Sequence, residues 1–281
     1  VNTRREFIRG AMALAVAASA RPLSAADEPP RSLPAYDGPW VPLFNGRDLD
    51  GWTFYQDGVG TEDDANAVVV EDGVIHILGP RYRGNQRPGF GHIASTAEHG
   101  DYHLQLEYRF GERRYEPRLL AKRNTGILYH MYPDTDRVWP NSVEFQLEES
   151  DVGDAILINA RCWPGADVGG TPAWPKQIPI DPRPEFPPPQ DPRPALERQR
   201  VKKNGDFEQR MDWNTIEILA VGDQAAHLVN GRIVATLYEL VVQDAVDRDA
   251  YRPLTKGRIA LEIEAAEVSF RNIRIRRLAR E

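Results

Sequence analysis

Apolar and polar residues alternate one by one along much of this chain. Tyr102, Leu104, Leu106, Tyr108 and Phe110 are separated by His103, Gln105, Glu107 and Arg109, a period of two that predicts a half-buried antiparallel strand. Two apolar runs, 67–70 and 74–78, flank Glu71-Asp72-Gly73, and an Asp-Gly pair between such runs predicts a hairpin. Similar short runs follow at 126–131, 142–147, 155–160, 213–220, 225–229, 232–237, 258–263 and 268–275, with Asn230-Gly231 joining two of them in a second tight hairpin. The last run changes phase between Phe270 and Ile273, which predicts a bulge. No stretch carries a helical period of useful length, although 240–249 would allow two turns. Many short antiparallel strands, each with one apolar face, predict an all-β fold of two packed sheets, a sandwich or jelly roll.

Proline interrupts this pattern once. Eleven of the 23 prolines lie from Pro164 to Pro194, and such a segment cannot supply central strands. It reads as an insertion at about 163–206 within a single domain spanning 40–281. Trp163 and Trp174 would make it a lid or a sugar platform; a plain spacer is the alternative. At the other end, Thr3-Arg4-Arg5-Glu6-Phe7-Ile8-Arg9 precedes the small apolar run 10–20 and then Ser24-Ala25-Ala26. That order of charged, apolar and small-residue regions predicts a twin-arginine export signal over 1–26, followed by a Pro-rich linker at 27–39. The expected location is periplasmic or secreted.

Composition narrows the chemistry. The chain has 281 residues, 41% hydrophobic and 27% charged, with a formal charge of −7. The acidic balance argues against nucleic acid and against an anionic membrane surface as partners. No apolar run is long enough to span a bilayer as a helix. The single cysteine, Cys162, excludes an intrachain disulfide and a cysteine zinc site. A small carbohydrate is the expected partner, because one strand is built to meet hydroxyls. Val143, Phe145 and Leu147 face one way, while Glu144, Gln146 and Glu148 face the other. Carboxylates and amides hydrogen-bond hydroxyls, and carboxylates serve as acid or base; a solvated outer face is the other reading of that row. The preceding run sets Asn124, Gly126, Leu128 and His130 on one side, with Gly126 leaving room for a close ligand or backbone. His130 beside Glu144 would suit a divalent metal held by mixed nitrogen and oxygen donors. Asn159 and Arg161 follow, and Glu262 and Glu264 repeat the acidic face near the end. Walker, dinucleotide, His-Glu-x-x-His and Gly-x-Ser-x-Gly motifs are all missing from the sequence.

Five blocks, taken in order, carry a family resemblance. They are Phe44-Asn45-Gly46-Arg47-Asp48-Leu49-Asp50-Gly51-Trp52, Asn124-Thr125-Gly126-Ile127, Glu144-Phe145-Gln146, Trp213-Asn214 with Asn230-Gly231, and Gly257-Arg258-Ile259-Ala260-Leu261 with Phe270-Arg271-Asn272-Ile273. Together they resemble the 3-keto-disaccharide hydrolase family over about 41–278. The resemblance implies a concanavalin-A-like jelly roll and cleavage of 3-keto-glycosides. The family usually has arginine at the position of His130, and a Leu-Gln-x-His-Gly element where this chain has Leu261-Glu262-Ile263-Glu264-Ala265.

The implied chemistry needs three groups. A ketone at C3 acidifies the C2 hydrogen; a base removes it, a polariser holds the enolate charge, and an acid protonates the C1 leaving group. His130 or Glu144 would be the base, Arg161 or a bound divalent cation the polariser, and Glu148 or Glu262 the acid. Asn124, Gln146, Asn159, Trp163 and Glu262 would bind substrate. Two other classes share the fold: a retaining hydrolase like glycoside hydrolase family 16, using Glu144 and Glu148, and a lectin-like module without turnover. The export signal yields its own test. A reporter fused to residues 1–30 is expected to stop crossing the membrane when Arg4 and Arg5 both become Lys; undiminished export would refute the assignment.

Overall fold

In a computed structural model, residues 38–132, 136–164, 198–244, 247 and 250–278 are described. The expected leader at 1–26, most of the linker and Trp174 lie outside them. The chain runs through β1 (Val41–Pro42), β2 (Trp52–Gln56), β3 (Val68–Glu71), β4 (Val74–Ile77), β5 (Gly91–Ser95) and β6 (Tyr102–Arg114). It continues with β7 (Gly126–Tyr132), β8 (Asn141–Gln146), β9 (Ala155–Ile158), β10 (Ala160–Pro164) and β11 (Arg198–Val201). The last six are β12 (Asn214–Val221), β13 (Gln224–Val229), β14 (Arg232–Gln243), β15 (Tyr251–Pro253), β16 (Arg258–Ile263) and β17 (Ala266–Arg277). They form two antiparallel sheets and, among the described residues, no helix. One sheet has the order β10-β14-β13-β12-β6-β17-β4-β3, with β1 on β17 and β15 on β14; the other runs β11-β9-β8-β7-β16-β5-β2. This is the expected two-sheet jelly roll. No helix of the described residues is long and apolar enough to cross a membrane.

The local reasons are those the pattern gives. In both two-residue hairpins the central residues have positive φ, 49° and 78° at Asp72-Gly73 and 49° and 76° at Asn230-Gly231, the geometry that matches strand twist and favours Asp or Asn followed by Gly. The predicted bulge lies in β17, where the register on β6 shifts between Arg271 and Arg274 and Asn272 takes φ 53°. Trp213-Asn214 and Asn230-Gly231 are structural: the Asn230 amide donates to Phe207 O and to Asn214 Oδ1, while Asn214 donates to Gln209 O and Asp212 O. The two turns allowed at 240–249 do not form over 240–243. Leu240 and Val242 are core residues at period two, so β14 simply continues and β15 pairs with it.

Between the sheets, Leu104, Leu106, Tyr108 and Phe110 of β6 meet Ile127, Tyr129, Val143 and Phe145 of β7 and β8. Two imidazoles are buried in this interior. His227 stacks on Phe145 with ring centroids 4.4 Å apart, pairs through Nε2 with the Tyr129 hydroxyl at 2.9 Å and through Nδ1 with Gly153 O at 3.0 Å. The carbonyl must accept, so Nδ1 carries the proton and Nε2 accepts from Tyr129. Burial lowers the pKa of His227 from 6.5 to about 4, and that of His130 likewise to about 4. An unfolded chain takes up these protons near pH 6.5, whereas the folded chain does not until about pH 4. Stability is therefore greatest above pH 6.5 and falls as pH drops from 6.5 towards 4. At pH 5 the expected loss is about 2 kcal/mol per histidine relative to pH 7.5. Urea titrations at the two pH values check it, with a flatter dependence expected for His227→Gln.

Candidate functional site

The seven-stranded sheet turns its second face away from the sandwich interior, and the register fixes what stands there. Tyr55, His92, Glu262, Gly126 and Gln146 form one cross-strand row, with Gly126 placed opposite Glu262 by the Ile127–Leu261 pairing. The next row holds Ala94, Ala260, Leu128, Glu144 and Ile156. Alternation along each strand adds Phe90, Glu264, Asn124 and Glu148 beyond the first row.

Three successive residues organise this face. Asn124 donates from Nδ2 to Glu264 and accepts at Oδ1 from Gln146 Nε2 at 2.8 Å. Thr125 donates to the backbone carbonyl of Glu262 at 2.8 Å. Gly126 leaves the space: a β-carbon there would stand 2.9 Å from Glu144 Oε1 and closer still to Glu262 Oε2. The room expected at Gly126 is thus taken by two carboxylates, one from each neighbouring strand. Glu144 is 3% exposed and Glu262 1%. Burying two negative charges on either side of one backbone position costs more than burying one, which favours protonation of one of the two.

Cations and aromatic rings border the pair. Arg118 sets Nη2 3.6 Å from Glu264 Oε2 and Nη1 3.9 Å from Glu148 Oε1. Arg200 reaches the other Glu148 oxygen at 3.9 Å and donates from Nε to buried Asp154 at 2.6 Å. His92 is fully buried; its Nε2 donates to Arg137 O at 3.1 Å, and desolvation lowers its pKa, which keeps the ring neutral. Trp139 packs on the apolar part of the face, against the cluster of Leu128, Met131, Ile156 and Ala260, with its ring 5.9 Å from that of Phe90.

Of the residues singled out in the sequence, Asn124, Glu144, Gln146, Glu148 and Glu262 share this face. His130 does not. The register of β7 on both neighbours shifts between Leu128 and Tyr132, and His130 sits at φ 52°. The bulge inserts one residue into the alternation, so Met131 takes the place on the Leu128 side while His130 turns inward against Tyr102 and Tyr129. The mixed His130–Glu144 metal site therefore does not form, and among the described residues no three His, Cys, Asp or Glu side chains are placed to hold a metal ion. Arg161 is also elsewhere. Asn159, at φ 50°, ends β9, bonds Asn141 Oδ1 at 2.8 Å and sends the chain into β10 on the edge of the other sheet. There Arg161 lies over the Tyr251 ring. Trp163 pairs by backbone with Tyr238 in that strand, so the expected insertion begins and ends in strands, β10 and β11, and the part at 165–197 lies outside the described residues. Sequence reasoning missed Arg118, His92, Phe90 and Trp139; only His92, one residue in from the start of a strand paired to β16, carried a readable signal.

A family model described as the 3-keto-alpha-glucoside-1,2-lyase-like domain matches residues 39–276. No curated protein matches the chain. Among solved structures, a protein of Parabacteroides distasonis described provisionally as a glycosyl hydrolase aligns with a TM-score of 0.50 at 18% identity, covering 86% of this chain and 100% of its own. A second from the same organism gives 0.48 at 18%, over 85% and 94%, and a Bacillus licheniformis beta-glucanase 0.44 at 11%, over 85% and 97%. The first likeness is one of fold. Crowding at Gly126 can be tested directly: Gly126→Ala forces the paired carboxylates apart and is expected to cost about 1–3 kcal/mol, as overpacked sites do. An unchanged urea midpoint would show that the space is free.

Proposed function

The chain belongs to the 3-keto-alpha-glucoside-1,2-lyase-like family, matched over residues 39–276, and from that premise we propose that it cleaves 3-keto-glycosides by elimination across C1 and C2. The observation that carries the reading is that two buried carboxylates, Glu144 and Glu262, flank the same space over Gly126. With one of the two protonated, such a pair supplies a base and an acid in the same place. The ionised member takes the C2 proton; the electron pair of that C–H bond forms the C1–C2 double bond through the enolate. The C1–O bond breaks, and the protonated member gives its proton to the departing oxygen. Charge passing through the C3 oxygen needs a fixed cation, and Arg118 is the guanidinium already standing on this face. It takes the role that the sequence alone gave to Arg161.

Gln146 and Asn124 hold each other and Glu264 in place, which keeps the carboxylate row from rearranging as charge moves. A retaining hydrolase would pair Glu144 with Glu148 across one glycosidic bond. Here Glu148 stands between Arg118 and Arg200 at the end of the face, and the neighbour of Glu144 is Glu262. The twin-arginine pattern at 1–26 supports export, so we place this activity outside the cytoplasm.

Purified protein incubated with a 3-keto-glucoside and with the unoxidised glucoside tests the reading. Turnover of the first alone is expected. Glu144→Gln and Glu262→Gln should each lower kcat by roughly 10²–10⁴, the range for general acid–base catalysis, with circular dichroism unchanged. Cleavage of the unoxidised glucoside that depends on Glu148, or full activity of both Gln variants, would overturn it.

A further inference from the structure

A cleft of about 420 Å³ lies beside the carboxylate face, between residues 57–59 after β2 and 85–90 before β5, with Pro117 on one side. We propose that it receives the leaving sugar ring of a 3-keto disaccharide, an inference that rests on the lyase reading above. The volume falls in the lower part of the range for small-molecule sites, 300 to 1,000 Å³ in broad terms, which suits one ring better than an extended chain.

Its lining has the chemistry of a sugar site. Phe90 offers an aromatic face for the C–H side of a pyranose, and Asp57, Asn85 and Arg87 offer acceptors and donors for its hydroxyls. Among the described residues neither Asp57 nor Arg87 is engaged in an ion pair. A carboxylate and a guanidinium on one cleft, neither in an ion pair among the described residues, are available to a neutral polyol that donates to the first and accepts from the second.

Two residues join the cleft to the reacting groups. Phe90 lines the cleft, and its ring lies near Trp139 and under the Arg118 guanidinium. Pro117 also lines it, and the next residue, Arg118, reaches Glu264 and Glu148. A disaccharide with its oxidised ring at the Glu144–Glu262 pair would thus direct the second ring past Phe90 into the cleft, with the scissile oxygen at the boundary.

Equilibrium binding of a 3-keto disaccharide and of the matching 3-keto methyl glycoside tests this by calorimetry on Glu144→Gln protein. The disaccharide is expected to bind about tenfold more tightly, and Asp57→Ala and Arg87→Ala, both at exposed positions, should each erase most of that margin. Equal affinity for the two ligands, no binding of either, or a margin that survives both substitutions overturns the proposal. Turnover of the same two ligands by the unsubstituted protein is read separately. A tenfold margin that the substitutions erase, without turnover, keeps the cleft and removes the lyase; turnover without the margin does the reverse.

Discussion

The pleat of a β-strand sends neighbouring side chains to opposite faces, and two sheets can join only if one face of each is apolar. That constraint sets everything else in this molecule. Once Ile127, Tyr129, Val143 and Phe145 are committed to the interior, the residues between them are committed to the other face. Glu144, Gln146 and Gly126 have no choice of side, and neither has Glu262 across the β7–β16 pairing. The carboxylate row follows from packing of the core behind it, so register slippage by one residue would lose core and site together.

The polar face is held by a further economy. Asn124, Thr125 and Gly126 use an amide, a hydroxyl and a missing side chain to fix Gln146, Glu264 and Glu262. Buried polar groups are costly unless bonded, and Asn124 bonds two of these side chains, Gln146 and Glu264, from just ahead of β7. Arg118 and Trp139 border the face from outside it. The carboxylates they border are nearly inaccessible, Glu144 at 3% and Glu262 at 1%.

How much of this the sequence revealed depends on whether alternation was intact. Where it was, as at Tyr102–Phe110 and Val143–Leu147, strand, face and even site partners could be read, and the phase change near Asn272 betrayed its bulge. His130 and Arg161 were misplaced for one shared reason. A residue in the left-handed region, His130 itself in β7 and Asn159 before β10, breaks the period without changing the apolar pattern enough to show. Arg118 and Trp139 were invisible for another: they come from connections, where no period says which way a side chain points. The pairing of Glu144 with Glu262 joins strands far apart in the chain, and only the sheet order brings it about.

The kink at Asn159 also decides what kind of insertion this fold tolerates. It moves the chain from one sheet to the other, so the stretch 165–197 leaves from β10, an edge of the larger sheet, and returns into β11, an edge of the smaller. These two edge strands come near each other. In general, the entropy of closing a loop between two fixed strand ends grows only logarithmically, by about 0.6 kcal/mol per doubling of length. Chain added between these two edge strands therefore costs little entropy of closure. The sandwich thus has a junction where chain can be added without shifting the register that its chemistry requires.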